Sequence, residues 1–158
     1  MKIRTSLLIA ATAFFGILFV TVCLHAGTTV QDDVEMNNPA YESHSKKIVT
    51  FSHKKHADEY AKANPDLYPN DCGECHHDEN NQPLTLKAGD EVQNCIECHK
   101  IPDKEPKTTK GKPKLTDAEK LEYHAYAIHE NCKGCHRDYN KASGTKDAPT
   151  TCTKCHPR

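Results

Sequence analysis

One five-residue pattern, Cys-x-x-Cys-His, occurs four times and carries most of the chemistry this chain can do. The copies are Cys72-Gly73-Glu74-Cys75-His76, Cys95-Ile96-Glu97-Cys98-His99, Cys132-Lys133-Gly134-Cys135-His136 and Cys152-Thr153-Lys154-Cys155-His156. Two cysteines at this spacing can form thioether bonds to the vinyl groups of one porphyrin, and the histidine directly after them can reach its iron. C-x-x-C alone also serves zinc sites and redox dithiols. Here eight of the nine cysteines fall into the four units, and each unit has its histidine at the same offset. A zinc ribbon built from paired C-x-x-C units would leave those histidines without a role. The expectation is four covalently attached c-type haems, with iron bound by His76, His99, His136 and His156.

Each iron has a sixth position to fill, and the histidine count bears on how. Of eleven histidines, His25 lies in the N-terminal segment and four follow the cysteine pairs. His44, His53, His56, His77, His124 and His129 remain as candidate sixth ligands. Met36 is the only methionine after the initiator and lies in a polar stretch, so sulfur ligation is not competitive. Composition therefore permits two imidazoles on all four irons. His44 reads as a solvated residue. His53 and His56, at i and i+3, occupy neighbouring positions of one helical face. An isolated pair of this kind would be an exposed basic helix start, but four irons that need partners favour ligation. His129 stands three residues before Cys132 and moves with an attachment site, which favours it over His124.

The elements that position these residues are sparse. Residues 1–26 combine Lys2 and Arg4 with an apolar run from Leu7 to Val20 and end Leu24-His25-Ala26, the layout of an export signal. Uncleaved, the segment would approach the ~17 to 25 apolar residues that span a bilayer, so a retained membrane anchor is the alternative. Export would place the chain in a periplasm, where bare cysteine pairs tend to oxidise and haem attachment would protect them. The 132 residues from Gly27 onward contain no Trp, one Phe and few aliphatic residues. That is 33 residues for each haem, too few apolar side chains for an ordinary core. The macrocycles must supply the interior, and the chain should be largely unfolded without them.

Residues 27–45 read as a flexible lead-in to a domain at 46–158. The stretch Lys47-Ile48-Val49-Thr50-Phe51 reads as a short strand. Residues 64–71 are turn-rich, and residues 82–92 suggest a small hairpin or loop. Residues 100–114 hold six Lys alternating with Asp103, Glu105 and prolines, a solvated connection and not a nucleic-acid site. Thr116-Asp117-Ala118-Glu119 is a capping box. It opens a helix expected to carry Leu121, Ala125, Ile128 and Cys132 on one face, flanked by His124 and His129.

Together these features resemble the class III multihaem cytochromes, the cytochrome c3 family. The resemblance rests on Phe51-x-His53-x-x-His56, a first site ending His76-His77, a histidine on a helix before the third site, and a fourth site at the C-terminus. It covers roughly residues 48–158 and implies a small, mostly α fold with a short β-hairpin and much irregular structure around four haems. Carried over by position, it makes His53 the sixth ligand of the first haem, His77 of the second, His56 of the third, and His129 or His124 of the fourth. All four sites here have two residues between the cysteines, and this with the acidic balance is similar to the acidic, membrane-associated type II branch. The resemblance implies an electron carrier in anaerobic respiration, with a periplasmic hydrogenase, another multihaem cytochrome or a membrane redox complex as partners.

With both axial positions occupied there is no place for substrate, and outer-sphere electron transfer is the natural role. A multihaem reductase or a haem-based sensor would need an open iron. Histidine ligation, solvent exposure and nearby acids all lower the potential. Residues 57–99 carry a net charge of −8 and residues 100–158 one of +5, with residues 27–56 neutral. Such asymmetry orients encounters with charged redox proteins. Intact-mass measurement of the purified holoprotein is expected to give the chain without residues 1–26 plus four haems; a smaller haem count would contradict the attachment reading.

Overall fold

Few of these side chains are apolar, and the polypeptide buries little against itself. The computed structural model describes residues 30–111 and 113–156. Among them only Gly73 and Ala127 are buried, Ala127 retaining 8% exposure. The export segment, with Cys23 and His25, lies outside the described residues.

Two three-residue strands form an antiparallel pair: β1, Asp33–Glu35, and β2, Thr50–Ser52. Val34 stands opposite Phe51, and the pairing is extended by Met36 N–H to the Val49 carbonyl and Lys54 N–H to that of Asp32. The strand expected at residues 47–51 is therefore shifted toward Ser52, and its partner lies inside the stretch read as a flexible lead-in. Three residues with no apolar alternation leave no sequence signal for β1.

Directly after β2 the chain turns into helix α1, a π-wound segment Lys55–Tyr60 that runs into an α-turn at Ala61–Ala63. Short 3₁₀ turns follow at Pro65–Leu67 and Asp71–Glu74. Residues 82–92 form a loop rather than a hairpin, tied by a bridge between His77 and Pro83. Helix α2, Cys95–Cys98, is a single turn held by a reciprocal Asn94–Glu97 capping box.

Thr116 caps α3, Asp117–Leu121, and its hydroxyl accepts from the Glu119 N–H while Glu119 reaches back. The single helix expected from there is broken at Tyr123, whose backbone is extended at φ −84° and ψ 114°. Ile101 causes the break: its N–H donates to the Glu122 carbonyl and its own carbonyl accepts from His124 N–H. Helix α4 then runs from His124 to Ser143 and ends on Gly144, in the left-handed conformation that favours glycine at a helix C-terminus. Asn140 clamps the returning chain by accepting from Ala148 N–H and donating to its carbonyl. The final turn, α5, is Cys152–Cys155.

With two buried residues, side-chain packing cannot offset the conformational entropy of ordering the chain. The haem-free polypeptide is expected to show no cooperative thermal transition by circular dichroism, whereas the holoprotein unfolds cooperatively; a cooperative melt of the haem-free chain would contradict this account.

Candidate haem-binding sites

Each Cys-x-x-Cys unit lies on one helical turn. At i and i+3, two side chains share a face, so both sulfurs of a unit address the same side. Three units form separate turns closed by the histidine's own N–H, from His76 to Cys72 O at 3.0 Å, His99 to Cys95 O at 2.9 Å and His156 to Cys152 O at 2.8 Å. The third, Cys132 to His136, lies within α4. No disulfide joins the eight cysteines of the four units. Burial pushes the Cys75 thiol up to about 11 and raises those of Cys95, Cys132, Cys135 and Cys155. A redox dithiol depends on the opposite shift. Among the described residues no three His, Cys, Asp or Glu converge as a metal cluster would require.

The histidines instead come together in twos. His53 faces His76 with ring centroids 6.2 Å apart, His77 faces His99 at 6.0 Å, His56 faces His136 at 6.3 Å, and His129 faces His156 at 6.3 Å. A transition metal binds imidazole nitrogen at about 2.0 Å, and with the ring centroid roughly 1.1 Å behind that nitrogen, two rings on opposite sides of one metal stand about 6.2 Å apart. The four attachment histidines and four of the six candidate partners therefore have the spacing that two imidazoles on one haem iron would need. The resemblance implies the pairings of His53, His77 and His56, and His129 is one of the two residues it allows for the fourth.

Hydrogen bonds fix most of the rings. Nδ1 faces a backbone carbonyl in five of them: His56 to Ser52 at 2.8 Å, His77 to Asp78 at 2.8 Å, His136 to Pro149 at 2.7 Å, His156 to Lys47 at 2.7 Å, and His99 to Leu121. A carbonyl can only accept, so in these rings Nδ1 carries the proton and Nε2 keeps the lone pair that a metal requires. Burial, above all, lowers the pKa of His56, His76 and His129, which further favours the neutral ring.

His53 and His56 are set by β2 and α1. Phe51 at the centre of β2 touches both rings, edge-on to His53 at 4.9 Å and tilted against His56 at 4.6 Å. The His56 ring bonds the Ser52 carbonyl, and the helix beside it is wound as a π-helix, a feature that recurs at functional positions. His77 is set by a tight turn in which the Asp78 carboxylate accepts from the N–H groups of Asn80 and Gln82. Those bonds hold the Asp78 carboxyl below the usual range.

His44 and His124 meet a different partner. The Tyr41 hydroxyl lies 2.9 Å from His124 Nδ1, and the Tyr41 ring stacks on His44 at 5.4 Å. His44 in turn bonds Asn37 at 3.0 Å. Of the two candidates on α4, His129 stands against an attachment histidine and His124 ties the N-terminal stretch to the helix. Tyr41, which sequence reasoning passed over, separates them.

Gly73 is a second residue that the sequence did not single out. A Cβ there would stand 2.5 Å from the Leu84 carbonyl oxygen and 3.0 Å from Pro83 Cβ. The equivalent positions of the other units hold Ile96, Lys133 and Thr153, so the requirement is local packing and not the motif. Asn131, just before the third unit, donates to the Cys75 carbonyl at 3.2 Å and couples the first site to α4.

The class III cytochrome c family matches residues 28–156. The chain is similar to a cytochrome c3 of Maridesulfovibrio salexigens, 32% identical over 126 residues covering 80% of this chain and 93% of that protein. It is also similar to a cytochrome c3 of Desulfovibrio desulfuricans, 30% identical over 126 residues covering 80% and 94%. No solved structure gives a significant match.

Gly73→Ala is expected to destabilise the holoprotein by about 1–3 kcal/mol through overpacking against backbone. Gly134→Ala meets open space, and the matching positions of the other units already hold Glu74, Glu97 and Lys154. It should be neutral or stabilise by up to about 1 kcal/mol as a helix-interior replacement. Thermal unfolding of the two variants checks the contrast.

Proposed function

The chain belongs to the class III cytochrome c family and is a multihaem electron-transfer cytochrome with covalent c-type haems, and we propose that it is a low-potential periplasmic carrier whose four irons each bind two histidines. The pairs are His76 with His53, His99 with His77, His136 with His56, and His156 with His129. What supports this reading is the set of four ring pairs at 6.0 to 6.3 Å. Bound haem supplies one-electron exchange between ferric and ferrous iron. The protein's part is to keep the coordination fixed. Carbonyls hold five of the eight rings in the tautomer that presents Nε2, so those rings need not turn or exchange protons when the iron changes charge. Two imidazoles per iron leave no position for a substrate and exclude water from the axial sites.

Adjacent ligands that serve different irons bring those irons close together. His76 and His77 are consecutive, and Phe51 touches both His53 and His56. In this reading electrons entering at one site pass to the others within the protein. The partners are redox proteins: a periplasmic hydrogenase or another cytochrome on one side and a membrane redox complex on the other, in anaerobic respiration. Residues 1–26 direct export. Among the described residues no helix is long and apolar enough to cross a membrane.

The ring planes distinguish two kinds of site. Interplanar angles are 31° for His53–His76 and 28° for His56–His136, against 65° for His77–His99 and 77° for His129–His156. Near-parallel and near-perpendicular imidazoles give low-spin ferric haem different magnetic anisotropy. The oxidised protein is expected to show two classes of low-spin electron paramagnetic resonance signal in equal amounts, and no reaction of the reduced protein with carbon monoxide. His129→Ala should convert one haem in four to a high-spin, carbon monoxide-binding form, while His124→Ala leaves all four low-spin. Carbon monoxide binding by the unaltered protein would instead favour a reductase or sensor.

A further inference from the structure

The connection after the second site runs back along α4. Carbonyls of Ile101 and Asp103 accept the N–H groups of His124 at 2.9 Å and Ala125 at 3.3 Å, which holds this segment beside the first turn of the helix. Ala125 and His129 are one turn apart on the same face. Two residues beyond Asp103, Glu105 is half-buried. Its Oε2 is one of two buried side-chain polar atoms among the described residues that have no hydrogen-bond partner; the other is Nδ1 of His53.

A buried, unbonded carboxylate oxygen is costly and calls for a role. Glu105 lies within electrostatic range of the His129 ring, as do Lys133 of its own helix, Lys104 of the connection and His156 just after α5. Lys120 of α3 is within the field of Glu105 but directs its ammonium to Asp117 at 2.7 Å. Among the described residues no carbonyl accepts from Nδ1 of His129, and the groups acting on this ring are charged.

We propose that Glu105 is a positioning residue for the fourth haem: its carboxylate, half-buried on the connection that is tied to α4 one turn before His129, stabilises the ferric form and lowers that haem's potential against the raising effect of the surrounding lysines. The assignment rests on His129 being the sixth ligand. Ferric haem carries one more positive charge than ferrous haem, so a fixed negative charge nearby favours it.

The test is a redox titration of the holoprotein in which the four haems are resolved by nuclear magnetic resonance. Glu105→Gln keeps the shape and removes the charge. At a fixed potential it should lower the oxidised-to-reduced ratio of the fourth haem by about three- to tenfold, the effect of one unit charge at intermediate dielectric, with the other three moving less. A tenfold change corresponds to about 59 mV for a one-electron couple. Glu105→Asp, which keeps the charge, should restore most of the original ratio. Asp66→Asn, which removes an exposed charge on the Pro65–Leu67 turn, should not reproduce the effect. An unchanged fourth haem in Glu105→Gln, or a shift shared equally by all four, would overturn the proposal. The spin state read from the same samples separates the two failures. Intact low-spin ligation without a selective shift refutes the role of Glu105 alone, whereas a fourth haem that does not lose its sixth ligand in His129→Ala refutes the ligand assignment beneath it.

Discussion

The bond from a histidine Nδ1 to a backbone carbonyl does two jobs in this protein. It fixes the tautomer of the ring, and it ties distant parts of the chain together. His156 reaches back to Lys47 across 109 residues, His99 reaches Leu121 across 22, and His136 reaches Pro149 across 13. In a domain with an ordinary core, such bonds would be a minor addition to apolar burial. Here the polypeptide by itself buries only Gly73 and Ala127 among the described residues, so the contacts that orient the histidines are a large part of what defines its own tertiary structure. Folding and coordination are thereby linked, as they are in small domains organised by a bound metal.

That linkage explains the shortness of the regular elements. A three-residue strand such as β2 or a one-turn helix such as α2 has too little area to be stable alone. Each serves to deliver one or two imidazoles, β2 through Phe51 against His53 and His56, and α2 through the turn that His99 closes. Helix α4 is the exception in length, and it carries the most: His124 toward Tyr41, His129 toward His156, Asn131 toward the first site, and the whole third unit. Interrupting the helical run at Tyr123 lets α4 take a direction of its own, set by Ile101 and not by α3.

What could be read from the sequence was whatever local spacing encodes. The four attachment units, the capping box at Thr116 and the pair His53 and His56 each depend on residues within one helical turn of each other. The break at Tyr123 depends on Ile101, and β1 on a partner seventeen residues ahead in the register of Val34 with Phe51; neither is a local pattern. His129 and His124 have similar claims by position on the helix. The choice between them turns on a tyrosine more than eighty residues away, which engages one ring and leaves the other to face His156. Gly73 had a faint signal, as the only glycine at the first variable position of its motif, but the carbonyl that it accommodates belongs to Leu84.

If all four irons carry the two imidazoles proposed for them, ligation alone would give four similar potentials, and any direction of electron flow would have to come from what surrounds the rings. The structure makes those surroundings unequal in three independent ways. Five rings face carbonyls, whereas Nδ1 of His53 is buried with no acceptor among the described residues, and a ring without that bond would be a weaker donor to metal. Ligand planes are near parallel in two pairs and near perpendicular in the other two. The acidic stretch at residues 57–99 holds the first two attachment units, and the basic stretch after it holds the last two, so outer charge favours ferric iron at one end and ferrous at the other. Charge taken alone would send electrons toward the later units. The carboxylate proposed to act at the fourth site, Glu105, lies inside the basic half and would work against that gradient. A chain of sites whose potentials are close can pass electrons in either direction, as a carrier between two partners must.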